Sequence, residues 1–542
     1  MKSNSFGTLA LCTACSLWAC GDDGPGSADA TATDTSGGST SSEASTSSSS
    51  DGTVDDDSGT STGADDRTRI EKIMDAMDVG MYACPDAAWP GTAAAYRSSQ
   101  VLFVSTSERS AWLWNDQSAG GDGPVVTEVP FDELGPEWGS VFNIGYFEDV
   151  VTLGISLDYT QTVNDAAAEA GLELWHDFAI SLAFHEGFHF LSGQSEWNIS
   201  PGSRSIPYPE PWEPRYLRAA YGTAFSANLP LDDGFDLGPA AHWRSRLLSQ
   251  FPQEMQTIRS YDCTEGSAEF VAAMMNALVD LGCDAEPSAL VDRISEHLDE
   301  FAPITHFSGG REPYDLGVLA GSILRGLEAP GWETATETGT PPHDYLIVAG
   351  GVTATPQADD PDLQAGAQAA TEERTLAAGM EIEPMLERMA DPTVYRIPLA
   401  FSWIAGSFGL GGFYHLANEP NQPPLMLRYR ALHQTPSGTL VDVDGLTSFY
   451  GIPHPCTGIG GAIIVTVPMA DVDDAGMVYS STNDIVQFEE LAALEVTDSD
   501  GLPWLCPDVA GAPEQPKEQL VGVHDDGHGR PHVVTLPDLP MR

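Results

Sequence analysis

The sequence predicts an α+β protein in which a mixed helical and stranded unit is followed by a smaller β-rich domain. Three observations predict it. From Arg67 to about residue 335, a helix, short alternating strands and then long helical stretches follow one another. Beyond residue 395, short apolar runs bounded by Gly, Pro, Asn and Asp take over, the pattern of strands and turns. The 476 residues from Arg67 to the end also exceed one ordinary domain, so two are expected.

Taken in order, residues 1–20 read as an export signal. Lys2 gives a short basic start, residues 6–18 (FGTLALCTACSLW) are mostly apolar or small, and Leu17-Trp18-Ala19-Cys20 resembles a bacterial lipoprotein cleavage box. The stretch is too short to span a bilayer. The resemblance implies a mature chain beginning at a lipidated Cys20, anchored to a membrane of the bacterial cell envelope (the outer membrane is expected) and facing away from the cytoplasm.

Residues 21–66 are Gly, Ser, Thr, Ala, Asp and Glu almost throughout, with 11 acidic residues and no Lys or Arg. Such a composition cannot form a core and reads as a disordered acidic tether, spanning roughly 35–40 Å root-mean-square. The chain as a whole carries a formal charge of −57; removing Lys2 and the tether's acids still leaves −47 on residues 67–542. An acidic body of this kind repels phosphate backbones, so nucleic acid is excluded as an expected partner.

In the unit from 67 to 335, Leu153-Gly154-Ile155-Ser156-Leu157-Asp158-Tyr159 alternates with period two and predicts a strand, either in the core or at a sheet edge where extended substrate could pair. Ile180, Phe184, Phe188 and Leu191 then make one apolar helix face. A second stripe, Phe178 and Leu182, runs into His185 and His189. Trp212 to Ala227 and Ala240 to Leu281 predict long helices, and Val318 to Leu327 a closing one. A Pro, Gly, Asp and Thr-rich passage near 330–362 suggests a boundary or an exposed insertion, with 336–394 as a linker or insertion containing a helix. In the β-rich domain, 395–510, strands are expected at Leu425–Leu432, Ala462–Val467 and Met477–Ser480, and the GSFGLGG run at 406–412 reads as a Gly-rich turn. Residues 511–542, with His524, His528 and His532, read as a solvated tail.

Chemistry concentrates in His185-Glu186-Gly187-Phe188-His189. On a helix, positions i and i+4 share a face, so both imidazoles can meet one cation, while Glu186 lies roughly 100° around the axis. A random chain of this composition contains H-E-x-x-H roughly 2% of the time. The doubly striped helix argues further, because three polar groups on a largely buried helix are costly unless partnered, and a divalent cation would partner them. Gly187 costs about 1 kcal/mol against alanine in a helix and suggests close approach of another backbone or of substrate. A zinc site needs a third ligand. Glu265, in Glu265-Gly266-Ser267-Ala268-Glu269-Phe270, shares a helix face with Glu269, and Gly266 and Ala268 are small enough to admit a neighbouring helix.

These two motifs resemble the gluzincin branch of zinc metallopeptidases, in which HExxH is followed by a glutamate ligand in an EGxAE[FY] setting. The resemblance implies a zincin-like catalytic domain with His185, His189 and Glu265 as Zn²⁺ ligands, Glu186 as general base and Glu269 supporting a zinc-bound histidine. It further implies hydrolysis of a peptide or protein substrate. Zinc would bring the pKa of its water to about 7, and Glu186 would take the proton and deliver it to the leaving amine. The 76 positions between His189 and Glu265 are a longer separation than thermolysin-like members have. Tyr314, His306 and Arg311 lie downstream as weak candidates for an oxyanion partner. The alternative reading is a zincin-like surface binding or adhesion lipoprotein that is catalytically silent.

Of the cysteines beyond the export segment, Cys263 and Cys283 flank the proposed ligand helix. Even 15 helical residues hold their ends roughly 22 Å apart, against a Cα limit of ~7 Å for a disulfide, so these two should not pair. The expected pairs are Cys456 with Cys506, and Cys84 with one of the helix-flanking cysteines.

Overall fold

The computed structural model describes residues 68–507 except 121–122, 140, 170, 173, 201, 203–204, 232–233, 299–306, 418–422, 458, 460, 470–485 and 489–492, together with 524–525 and 531–532. The expected export signal, Cys20, the tether, the strand at Met477–Ser480 and most of the tail lie outside the described residues. Among the described residues, no helix is long and apolar enough to cross a membrane.

The fold is α+β. Helix α1 (Arg69–Met77) starts at a capping box, in which the Thr68 side chain accepts from the Glu71 N–H and Glu71 bonds back to the Thr68 N–H. Two short helices, α2 (Pro85–Ala88) and α3 (Ala93–Arg97), lead into a five-stranded sheet. Its strands are β1 (Gln100–Ser105), β2 (Ser110–Trp114), β3 (Val126–Glu128), β4 (Phe142–Phe147) and β5 (Val150–Ser156), in the order β3-β2-β1-β5-β4. Only β1 and β5 run parallel.

The strand expected through Tyr159 ends earlier, at Ser156, and Leu157 opens α4 (Leu157–Glu169). Local polar bonding decides this. The Ser156 hydroxyl accepts from the Tyr159 N–H, while the Asp158 carboxylate accepts from the backbone and side chains of Thr106 and Ser107 at the β1–β2 turn. Nor is this strand an edge. It lies between β1 and β4, so the edge beside it belongs to β4.

The helical layer comprises α5 (Phe178–Leu191), α6 (Trp212–Ser226), α7 (Gly238–Gln250), α8 (Pro252–Leu281), α9 (Pro287–Ser295) and α10 (Glu312–Gly326). The stretch expected to be helical from Ala240 to Leu281 is two helices, because Phe251 stands before Pro252 and adopts φ −131°, ψ 51°. The passage expected as a boundary or an exposed insertion contains α11 (Trp332–Glu337) and α12 (Pro342–Ala349), and Trp332, Leu346 and Ile347 belong to the main core. Packing therefore changes character later, along α13 (Pro361–Ala390). Its Ala367 belongs to the main core, whereas Ala378, Ile382 and Met385 pack under the second unit.

That second unit is a pair of sheets. One contains β6 (Ile206–Tyr208), β8 (Ile404–Gly409), β9 (Gly412–Leu416), β10 (Leu425–Gln434), β11 (Leu440–Phe449) and β13 (Val486–Phe488); the other contains β7 (Val394–Ala400), β12 (Ala462–Pro468), β14 (Ala493–Thr497) and β15 (Pro503–Pro507). Ile397, Leu399, Ile463 and Val465 from the second sheet share a core with Tyr429, Ala431, Val441 and Val443 from the first. The Gly-rich run at 406–412 is mostly strand, ending β8 and opening β9 around a turn at Leu410-Gly411. Strand β6 comes from the segment between α5 and α6 and pairs parallel with β9, so the two units are stitched together by main-chain bonds.

Disulfides join Cys84 to Cys283, with Cα atoms 5.3 Å apart, and Cys456 to Cys506, 5.2 Å apart. Cys263 is a free, buried thiol whose pKa burial raises.

Candidate metal centre

Helix α5 is specified at both ends. The Asp177 carboxylate accepts from the Ala179 N–H at the start, and Gly193 takes a left-handed φ of 88° after the last turn. Ile180, Leu182, Phe184, Phe188 and Leu191 are buried and Phe178 is half-buried, and His185, Glu186 and His189 are carried inside, at 2%, 1% and 8% exposure. Gly187 is needed for a different reason from the one expected. A Cβ there would lie 2.8 Å from the Met81 methyl and 3.5 Å from the Tyr96 ring, so the contact is with packed side chains rather than with a backbone or a substrate cleft.

Helix α8 brings Glu265 opposite. Its approach depends on Gly266, which meets the backbone of α10 at Gly317: a Cβ on Gly317 would lie 2.1–2.3 Å from Gly266 main-chain atoms. The Gly of EGSAEF is thus a helix-crossing residue. Arg218 of α6 is enclosed by Asp262 (2.5 Å) of α8 and Glu312 (2.7 Å) of α10, and His343 of α12 reaches Asp262 at 3.2 Å. Asp262 lies three residues before Glu265, so this buried charge network pins the helix just ahead of the site.

His185 Nε2, His189 Nε2 and Glu265 Oε2 form a triangle. The two nitrogens are 3.1 Å apart, Glu265 Oε2 is 3.1 Å from His189 Nε2 and 3.5 Å from His185 Nε2. Three ligands at about 2.1 Å from a tetrahedral zinc ion would be separated by roughly 3.4 Å, so the spacing fits that ion. Among the described residues this is the one group of three or more His, Cys, Asp or Glu whose ligand atoms converge in this way.

Hydrogen bonding fixes what those atoms can do. His185 Nδ1 donates to Glu269 Oε2 at 2.9 Å. His189 Nδ1 faces the side-chain oxygen of Gln194, whose amide nitrogen donates to the Thr264 carbonyl, so that oxygen can only accept. In the neutral form, with its proton on Nδ1, each ring turns an Nε2 lone pair towards the Glu265 carboxylate. Three buried acceptors facing one another require a cation. Without a metal, a proton serves: burial pulls the His185 imidazole down, but Glu265, Glu269 and Glu186 outweigh it and hold the ring well above its ordinary value. Burial raises the Glu269 carboxyl, yet Arg311 and His185 hold it below the usual carboxylate range.

Glu186 is adjacent to His185 on the helix and its charge acts on that ring. Of the three weak electrophile candidates, Tyr314 is fully buried with its ring stacked on His185, centroids 5.5 Å apart and planes 11° apart. Arg311 lies over Tyr314 and bonds to Glu269 at 3.2 Å and Asp315 at 3.3 Å. His306 lies outside the described residues. Sequence reasoning missed Gln194; the signal available was Gly193, a helix-ending glycine that turns the next residue back towards His189.

No protein-family model, no curated protein and no solved structure matches this chain.

Proposed function

We propose that this protein is a zinc-dependent peptidase of gluzincin type, with a zincin-like catalytic domain, His185, His189 and Glu265 as metal ligands, Glu269 behind His185 and Glu186 as general base. One observation carries the reading: two histidine nitrogens and one carboxylate oxygen converge at 3.1–3.5 Å, beside a buried glutamate. When bound, zinc supplies a Lewis acid that polarises a carbonyl and makes water nucleophilic near neutral pH. Glu186 then accepts the proton and returns it to the leaving amine. Arg311 holds Glu269, and through it His185, in orientation. Strand β4, at the edge of the five-stranded sheet, is where an extended polypeptide would pair. The setting proposed is extracytoplasmic, through lipid at Cys20.

The second reading, a catalytically silent zincin-like binding lipoprotein, draws on the enclosure of the site, since Glu186 and Glu265 are only 1% and 3% exposed. One comparison separates the two. Wild type and Glu186→Gln are assayed for zinc content and for hydrolysis of unfolded protein substrates. The peptidase reading expects full zinc in both and a drop of about 10²–10⁴-fold in hydrolysis by the variant. Zinc-loaded wild type with no hydrolysis selects the silent reading; absence of stoichiometric zinc sinks both.

A further inference from the structure

We infer that Gln194 is a positioning residue of the metal centre, setting the tautomer of His189 and locking together the two helices that carry the ligands. This rests on the metal-centre reading above. The geometry assigns two jobs to one amide. Its oxygen faces His189 Nδ1 and its nitrogen donates to the Thr264 carbonyl at 2.9 Å, so the α5 histidine and the residue immediately before Glu265 on α8 are held by a single side chain. Gln194 is 6% exposed and opens a short 3₁₀ turn, Gln194–Glu196, reached through the left-handed Gly193.

The chemistry of an amide matters at this position. Because the nitrogen is committed to a carbonyl, the oxygen cannot be exchanged for a donor, and His189 must keep its proton on Nδ1. In the other tautomer the proton would sit on Nε2, aimed at Glu265 and at His185, and would block the ligand position. A carboxylate could also accept from Nδ1, but the pocket already contains Glu186, Glu265 and Glu269 around the ligands, with Arg311 paired to Glu269. Gln194 supplies the acceptor without a further negative charge. His185 and His189 are therefore oriented by different means: one by a carboxylate braced by a guanidinium, the other by a neutral amide braced by a main-chain carbonyl.

The two jobs separate by substitution. Gln194→Met keeps the length and loses both bonds, whereas Gln194→Glu keeps an acceptor for Nδ1 and loses the amide donor to Thr264. The full chain is loaded with zinc in competition with a chromogenic chelator, and with cobalt(II) for its absorption spectrum; thermal melting of the metal-free protein is recorded alongside. Gln194→Met is expected to bind zinc about 10–100-fold more weakly and to change the cobalt spectrum, while Gln194→Glu recovers most of the affinity. Wild-type affinity and spectrum in Gln194→Met, with or without a lowered melting temperature, would overturn the proposal while leaving the metal centre standing. So would Gln194→Glu binding as weakly as Gln194→Met while its melting temperature stays at the wild-type value. Wild type that binds neither metal would instead overturn the metal-centre reading and this inference with it.

Discussion

Single residues in this protein are set by what burial does to their polar atoms, and His433 of β10 shows it as clearly as the histidines of the candidate metal centre. It is fully buried, with Nδ1 donating to the Ala400 carbonyl at 3.2 Å and Nε2 accepting from the Tyr429 hydroxyl at 3.0 Å. Burial lowers its pKa to about 4, and the bond to the Ala400 carbonyl offsets only part of that. In the unfolded chain the same ring titrates near 6.5, so on acidification the unfolded state takes up the proton first. Its contribution to stability is intact above about pH 6.5 and is lost as pH falls towards 4, by roughly 2 kcal/mol at pH 5 and roughly 3 kcal/mol in all. Urea unfolding at pH 7 and pH 5, for wild type and His433→Gln, measures this. The wild type should lose about 2 kcal/mol more than the variant over that interval; equal losses would show that His433 is not the group responsible.

Between elements, the approach of α8 to α10 does most to build the site, and glycines control it. At Gly317, a methyl group would meet main-chain atoms of Gly266 at 2.1–2.3 Å, which no rotamer change can relieve. Gly317→Ala should therefore push the helices apart and destabilise by about 3 kcal/mol or more, with weakened zinc binding as Glu265 moves away. Gly187→Ala makes a contrasting case, because the obstacle is the terminal methyl of Met81 at 2.8 Å, and alanine gains about 1 kcal/mol of helix propensity. Its net cost should stay within about 1 kcal/mol. Denaturant midpoints of the two variants compare them directly, and a Gly317→Ala protein as stable as Gly187→Ala would refute the account of the crossing. The same scale explains the departures from periodicity. Ser156 and Asp158 turn a strand pattern into a helix start, and Pro252 divides one apolar stretch into two helices.

Across the whole molecule, the two disulfides serve different units. Cys84–Cys283 links positions 199 apart and joins the segment after residues 78–83, which packs on α5, to the end of α8; Cys456–Cys506 spans 50 positions within the β unit. Loop-closure entropy makes the longer link the stronger by about 1 kcal/mol, with both on the order of 4–5 kcal/mol in that description. Replacing Cys84 and Cys283 by serine should lower the melting temperature and weaken zinc retention. Replacing Cys456 and Cys506 should lower stability while leaving zinc affinity unchanged. Calorimetry with and without zinc tests both, and loss of zinc binding in the second variant alone would contradict the division of labour. Strand β6 and helix α13 nevertheless join the units, through pairing with β9 and through Tyr208 bonded to Glu383.

The sequence by itself determined the α+β character, the buried helix bearing HEGFH, the glutamate helix and the strands at Leu425 and Ala462, because these follow from periodicity, caps and turn residues acting over a few positions. It also restricted the disulfides, since a helix between Cys263 and Cys283 excludes their pairing. Only the tertiary structure decided that Glu265 meets His189 across 76 positions and His185 beside it, that Gln194 braces one ring and Arg311 the partner of the other, and that α11 and α12 belong to the main core. It also made β4, not β5, the sheet edge. The physical reason is common to all of these. They depend on which buried surfaces meet and which polar atoms must then find partners, and neither is encoded in the spacing of neighbouring residues.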